Sequence, residues 1–190
     1  MTHDDVLALF RRSGALLEGH FRLSSGLHSP GYLQSALVLQ YPAEAERLGA
    51  ALADRLRGAN PTVVLSPALG GIVIGYEVAR ALGVRALFAE RQDGRLTLRR
   101  GFTLGPDDRV VIVEDVVTTG LSTRETMDVA RQAGASVVAA GAIVDRSGGR
   151  AELGVPLSAL LPMSLPTYDE ASCPLCAQGV PVVKPGSRSK

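Results

Sequence analysis

Apolar runs at residues 63–65, 84–89, 110–113 and 137–144 alternate with stretches of helical periodicity, and this alternation restricts the fold more than any other feature. Short apolar runs of that kind suit strands buried on both faces, and strands joined by helices lie parallel. The intervening segments agree. Residues 42–57 open with Pro42 at a helix start and repeat Leu48, Leu52 and Leu56 at spacing four, on one face. Further helices are expected around residues 4–12, 72–82 and 123–133. The expected fold is α/β, a doubly wound, mostly parallel sheet flanked by helices, with ligands at the carboxyl ends of the strands. Residues 19–35, rich in Ser, Gly and Pro, read as turns and short strands. The region after Gly148 is irregular and Pro-rich, with residues 157–161 as the candidate for a last strand.

At 190 residues and 46% hydrophobic content the chain is long enough for one core. Twenty basic residues against 19 acidic ones give no bulk field that asks for nucleic acid or an anionic membrane. No apolar run approaches the roughly 20 residues that span a bilayer, and Asp4 and Asp5 stand where a secretory signal would carry basic residues. A cytoplasmic protein is expected, with any anion binding local.

The run 110–123, VVIVEDVVTTGLST, supplies such a place. Its strand delivers Glu114 and Asp115 to a carboxyl end, before a loop and a helix start. Thr118, Thr119, Gly120 and Ser122 can surround a phosphate beside the positive end of the helix dipole. The acids would repel that phosphate, so they face sugar hydroxyls or a hydrated magnesium ion. A ribose phosphate satisfies both halves. The alternative is structural: Ser122 and Glu125 form a capping box, and the acids merely end a strand. Neither GxGxxG nor a Walker loop occurs, which argues against dinucleotide and ATP sites of those types.

EDVVTTG after four apolar residues resembles the PRPP-binding signature of the type I phosphoribosyltransferases, PRPP being phosphoribosyl pyrophosphate. The resemblance implies that Glu114 and Asp115 contact ribose hydroxyls and that Val116, Val117, Thr118, Thr119, Gly120, Leu121 and Ser122 form the loop holding PRPP. SPALGGIVIG resembles the family's pyrophosphate loop at Gly70 and Gly71; alone, it would be a tight strand-helix turn. FRLSSGLHSPGY resembles the amino-terminal hood of the orotate phosphoribosyltransferases at Phe21, Leu23, Ser25, Gly26, Ser29, Pro30 and Tyr32. IVDRSGG resembles their orotate-facing segment, so Arg146 inherits the acceptor contact, with Thr118, Ser25 and Gly26 beside it; the structural alternative is a surface Arg146 paired with Asp145. A guanidinium suits a planar ring bearing a carboxylate, because it donates paired hydrogen bonds. The activity implied by the resemblance is transfer of the phosphoribosyl group to orotate in pyrimidine synthesis, giving orotidine 5′-phosphate and pyrophosphate, with Mg2+ bound alongside PRPP. The same resemblance implies one domain over residues 1–190: a hood to about residue 40, an α/β core to about 165 and an irregular tail. A purine or uracil transferase, or a PRPP-binding regulator without chemistry, remains the rival.

The chain departs from the family in its basic residues. Segment 90–102, ERQDGRLTLRRGF, reads as a mobile basic lid with Arg91, Arg95, Arg99 and Arg100, and only Arg91 aligns with the family's loop. The bland reading is four solvated arginines. In the family such a loop reaches across a homodimer, so segment 91–103 is expected to enter the neighbouring site. Members carry lysine where Ser24 and Gly70 stand, and no lysine precedes Lys184. Arginine stabilises charge on a leaving pyrophosphate but does not exchange protons near neutral pH, so Arg91, with Glu114 and Asp115, is assigned the catalytic work. Cys173 and Cys176 form CPLC, which supplies two of the four ligands that structural zinc needs. A zinc shared between two copies or completed by histidine, a disulfide, and free thiols all fit; a cytoplasmic setting favours thiols. His3, His20 and His28 are not spaced as a cluster, and no metal site is assigned.

Overall fold

The first helix is set by its ends. In α1 (His3–Arg12) the Thr2 hydroxyl accepts from the Asp5 N–H while the Asp5 carboxylate accepts from the Thr2 N–H, and Arg11 and Arg12 fall at the negative end of the dipole. The computed structural model describes residues 1–23 and 25–185. After α1 come the antiparallel hairpin β1 (Leu16–Arg22) and β2 (His28–Leu33), then α2 (Ala36–Leu39) and α3 (Pro42–Leu56). The alternating part runs β3 (Val63–Pro67), α4 (Gly70–Leu82), β4 (Arg85–Gln92), β5 (Arg95–Leu98), β6 (Arg109–Val117), α5 (Leu121–Gln132), β7 (Ser136–Asp145) and β8 (Leu157–Pro162). A short α6 (Pro174–Ala177) closes the series.

The main sheet has the order β5-β4-β3-β6-β7-β8, parallel throughout except for β5 at its edge. The expected doubly wound sheet is present, and the candidate last strand is β8. Successive residues of the central strands face opposite layers. Val64, Val111 and Val113 join Leu48, Leu52 and Leu56 of α3, Ile74 and Val78 of α4, and Val6 and Phe10 of α1. Val63, Leu65, Val110 and Ile112 instead meet Met127 and Ala130 of α5. Both layers exclude water, which is why these strands read as unbroken apolar runs. Close approach depends on small residues: a Cβ at Gly49 would lie 2.4 Å from the Glu77 Cβ on α4, and one at Gly141 would lie 2.9 Å from the Leu56 Cδ1.

Segment 90–102, expected as a basic lid, takes the form of a hairpin. Asp93 and Gly94, at φ 50° and 83°, make a two-residue turn that matches strand twist, so β5 folds back on β4 with Gln92 opposite Arg95 and Ala89 opposite Leu98. Leu96 is drawn inward and Thr97 outward by the period of two, a pattern hidden by the arginines on either side. Among the described residues no helix is long and apolar enough to cross a membrane.

Gly141→Val would drive two methyl groups into Leu52 and Leu56. We expect a loss of about 1–3 kcal/mol in urea unfolding, with ligand binding retained in the folded fraction.

Candidate functional site

Strands β3 and β6 lie side by side, yet the chain leaves them on opposite faces, through α4 and α5. A crevice opens at their carboxyl ends because the two connections diverge. Glu114 stands there nearly buried, at 6% exposure. One of its oxygens accepts from the Ser122 hydroxyl at 2.6 Å and the other from the Thr123 hydroxyl. The end of β6 is thereby tied to the first turn of α5. Burial pushes the Glu114 carboxyl above its usual range; the two hydroxyls oppose that shift and the adjacent Asp115 adds to it. Burial pushes Asp115 up as well, against a hydrogen bond from the Val116 backbone.

Gly70 explains how the two loops meet. A Cβ there would lie 2.8 Å from the Asp115 Oδ1, so glycine lets the first residue of α4 rest against the carboxylate. Between the loops lies a cavity of about 210 Å³ bounded by Pro67, Ala68, Gly70 and Gly71, by Glu114, Asp115 and Ser122, and by Arg91 and Leu96 of the β4–β5 hairpin. The Arg91 guanidinium donates to Glu125 at 2.5 Å and to the Gly94 carbonyl at 2.8 Å. Arg100 instead pairs with Glu90 at 2.7 Å and lies 5.8 Å from the centre of the Phe88 ring. Arg95 and Arg99 form no ion pair among the described residues.

Six residues named from sequence thus share one cavity: Gly70, Gly71, Arg91, Glu114, Asp115 and Ser122. Others stand elsewhere. Val116 and Val117 belong to β6, paired with Val144 and Asp145, so they shape the sheet and not the loop. Thr118, Thr119 and Leu121 are exposed, and the Thr119 hydroxyl accepts from the Leu121 N–H at 3.3 Å. Gly120, at φ 74°, is the cap of α5 and lends it no side chain, leaving the helix's positive end for a ligand. The capping box that was the structural alternative for Ser122 and Glu125 does not form: the hydroxyl serves Glu114 and the carboxylate serves Arg91.

Ser25 and Gly26 sit at the exposed tip of the β1–β2 hairpin, outside the cavity lining. Ser24 lies outside the described residues. Arg146 leaves β7 beside the end of β6, its N–H donating to the Val117 carbonyl at 2.8 Å. Its Nε is buried and has no partner among the described residues; burial lowers its pKa and Tyr32 of β2 opposes the shift. Arg146 forms no ion pair with Asp145, whose carboxylate accepts from the Ser147 N–H at 2.8 Å. A buried guanidinium N–H without a partner is costly, and an anion is the group that would satisfy it. Reasoning from sequence missed Glu125 as the partner of Arg91 and Thr123 as a holder of Glu114. Thr123 closes the run 110–123 itself, so its hydroxyl was visible there. One expectation is overturned: His20 and His28, whose spacing gave no cluster, converge with Cys173 and Cys176 within 4.8 Å.

Residues 36–154 match the family model described as a phosphoribosyl transferase domain. The chain is 55% identical over 188 residues to an orotate phosphoribosyltransferase of Pelotomaculum thermopropionicum, covering 99% of each chain. It is 56% identical over 186 residues to one of Carboxydothermus hydrogenoformans, covering 97% of each. The crystal structure of orotate phosphoribosyltransferase from Aeropyrum pernix superposes with a TM-score of 0.70 at 27% identity, over 82% of this chain and 92% of that one.

The Glu114 geometry has a pH signature. A carboxyl whose folded pKa exceeds its ordinary 4.5 holds its proton more tightly when folded, so its contribution to stability is full below that range and is lost as pH rises through the folded value. We expect Glu114→Gln to melt at a higher temperature than the parent above that window, with the gap closing toward about pH 4. A variant whose melting temperature tracks the parent at every pH would remove the carboxyl's burial from the account.

Proposed function

The chain belongs to the phosphoribosyltransferase family, and we infer from that membership that it transfers the phosphoribosyl group of PRPP to orotate, giving orotidine 5′-phosphate and pyrophosphate in pyrimidine biosynthesis. The observation that carries the chemistry is the single cavity joining Gly70, Gly71, Arg91, Glu114, Asp115 and Ser122. The full-length relatives carry the identity of the acceptor.

In the proposed arrangement the 5-phosphate rests on Thr118, Thr119, Gly120, Leu121 and Ser122 at the uncapped start of α5, where backbone amides and the helix dipole favour a dianion. Glu114, held by two hydroxyls, and Asp115, backed by Gly70, then face the ribose. Pyrophosphate occupies the Gly70–Gly71 side, within reach of Arg91. Orotate lies between the β1–β2 hairpin, with Ser25 and Gly26 at its tip, and Arg146, whose unpartnered Nε suits a carboxylate. As orotate attacks the anomeric carbon and the bond to pyrophosphate breaks, positive charge grows on the ribose and negative charge on the leaving group. The two acids stabilise the first and Arg91 the second, from positions fixed before reaction.

Magnesium fits this site. Asp115 is a hard oxygen donor on the cavity wall, whereas both oxygens of Glu114 are engaged by hydroxyls, which suits an ion that keeps most of its water. Bound with PRPP, it would neutralise charge on the departing pyrophosphate. We place the working enzyme in the cytoplasm as a homodimer, one domain per chain over residues 1–190. Leu69 at the cap of α4, with Val73 and Tyr76 on it, forms an exposed apolar face that supports pairing, and Arg95 and Arg99 of segment 91–103 form no ion pair among the described residues, which leaves them for a neighbouring site.

Mixing the protein with orotate, PRPP and magnesium should release pyrophosphate only when orotate is present. PRPP binding without orotate-dependent release would make the chain a regulator, and release with a purine or uracil would reassign the acceptor. Arg91→Ala should lower kcat by about 100-fold with the melting temperature preserved, since one charge-stabilising donor is lost. Arg146→Ala should act mainly on the KM for orotate, leaving PRPP affinity close to the parent's.

A further inference from the structure

His20 in β1 and His28 at the start of β2 point toward a turn that lies beyond the main sheet by more than ten residues in sequence, where Cys173 caps α6 and Cys176 lies within it. The His20 Nε2 stands 2.8 Å from the His28 Nδ1; the Cys173 Sγ is 3.5 Å from the former, and the Cys176 Sγ is 3.7 Å and 3.2 Å from the two nitrogens. His20, His28 and Cys173 are at most 3% exposed, and Cys176 is half-buried. The donor atoms are two imidazole nitrogens and two sulfurs, one from each residue.

We propose that His20, His28, Cys173 and Cys176 form a structural Zn2+ site that clasps the β1–β2 hairpin to the carboxyl-terminal segment. A tetrahedral zinc with bonds of about 2.0 Å to nitrogen and 2.3 Å to sulfur sets its ligand atoms about 3.3–3.8 Å apart. Three nitrogen–sulfur distances, 3.2 to 3.7 Å, match that spacing, all four donor atoms lie within 4.8 Å of one another, and the nitrogens need to part by only about half an ångström.

The outer hydrogen bond of His20 suits a metal ligand. The His20 Nδ1 lies 2.7 Å from the Val180 carbonyl and donates to it, so its Nε2 carries a lone pair directed at the other three donors. That carbonyl contact is the outer partner that metal-bound histidines use to fix ring orientation. Four ligands fill a tetrahedron, so the site has no open position and its role is to hold structure.

The backbone around the site defines the segments that it holds. His28 and Tyr168 exchange N–H···O bonds of 2.8 and 2.9 Å, while Val183 bonds to Arg22 and His20 at 2.9 and 2.8 Å. The carboxyl-terminal segment is thus stitched to both strands of the hairpin, and zinc closes the gap between the stitches.

Metal analysis of the untagged full-length protein, purified without chelator, should find about one zinc per chain. Titration of the two thiols with an organomercurial should release that zinc in step with their modification, a readout that needs no variant. Cobalt substituted for zinc should give the visible bands of a tetrahedral site with thiolate charge transfer. Cys173→Ser with Cys176→Ser should abolish both signals and lower the Tm. A metal-free protein that takes up no cobalt, a mass showing a Cys173–Cys176 disulfide, or zinc that survives thiol modification would each overturn the proposal.

Discussion

Everything at the candidate active site depends on β3 and β6 being hydrogen-bonded neighbours whose chains depart to opposite faces. That pairing brings Gly70 against Asp115 and lets the two loops define one cavity. A residue with a side chain at position 70 would hold the loops apart or displace the acid. The apolar layers on both sides of the sheet supply the rigidity, since Val64, Val111 and Val113 are locked from one side and Val63, Leu65 and Ile112 from the other.

The electrostatic design is economical in residue types. With no lysine before Lys184, positive charge near the cavity comes from arginine, and each arginine is governed by its neighbours. Arg91 is aimed by Glu125 on α5, Arg100 is taken up by Glu90, and Arg146 keeps a buried Nε with no partner among the described residues. Guanidinium groups contribute fixed charge and paired donors and leave proton transfer aside, which suits a reaction whose charges appear on the ribose and the departing pyrophosphate.

The sheet and the acidic strand end were legible in sequence because their signals are local. Apolar runs give buried strands, and EDVVTTG packs its acids, hydroxyls and glycine into consecutive positions. The β4–β5 hairpin was hidden because a strand as short as Arg95–Leu98 carries only two inward residues, Leu96 and Leu98, between arginines. Glu125 looked like half of a capping box; only the folded hairpin puts Arg91 within its reach. The His and Cys cluster was the least visible, since its members are separated by up to 156 residues and meet only when the tail crosses the amino-terminal hairpin.

That crossing imposes an order on the birth of the protein. The β1–β2 hairpin is among the first segments to leave the ribosome, yet its backbone partners at Tyr168 and Val183 are among the last. The α/β core between them is complete in sequence at β8, well before the hairpin acquires its final contacts. The hairpin proposed to face orotate is therefore finished after the crevice proposed to hold PRPP.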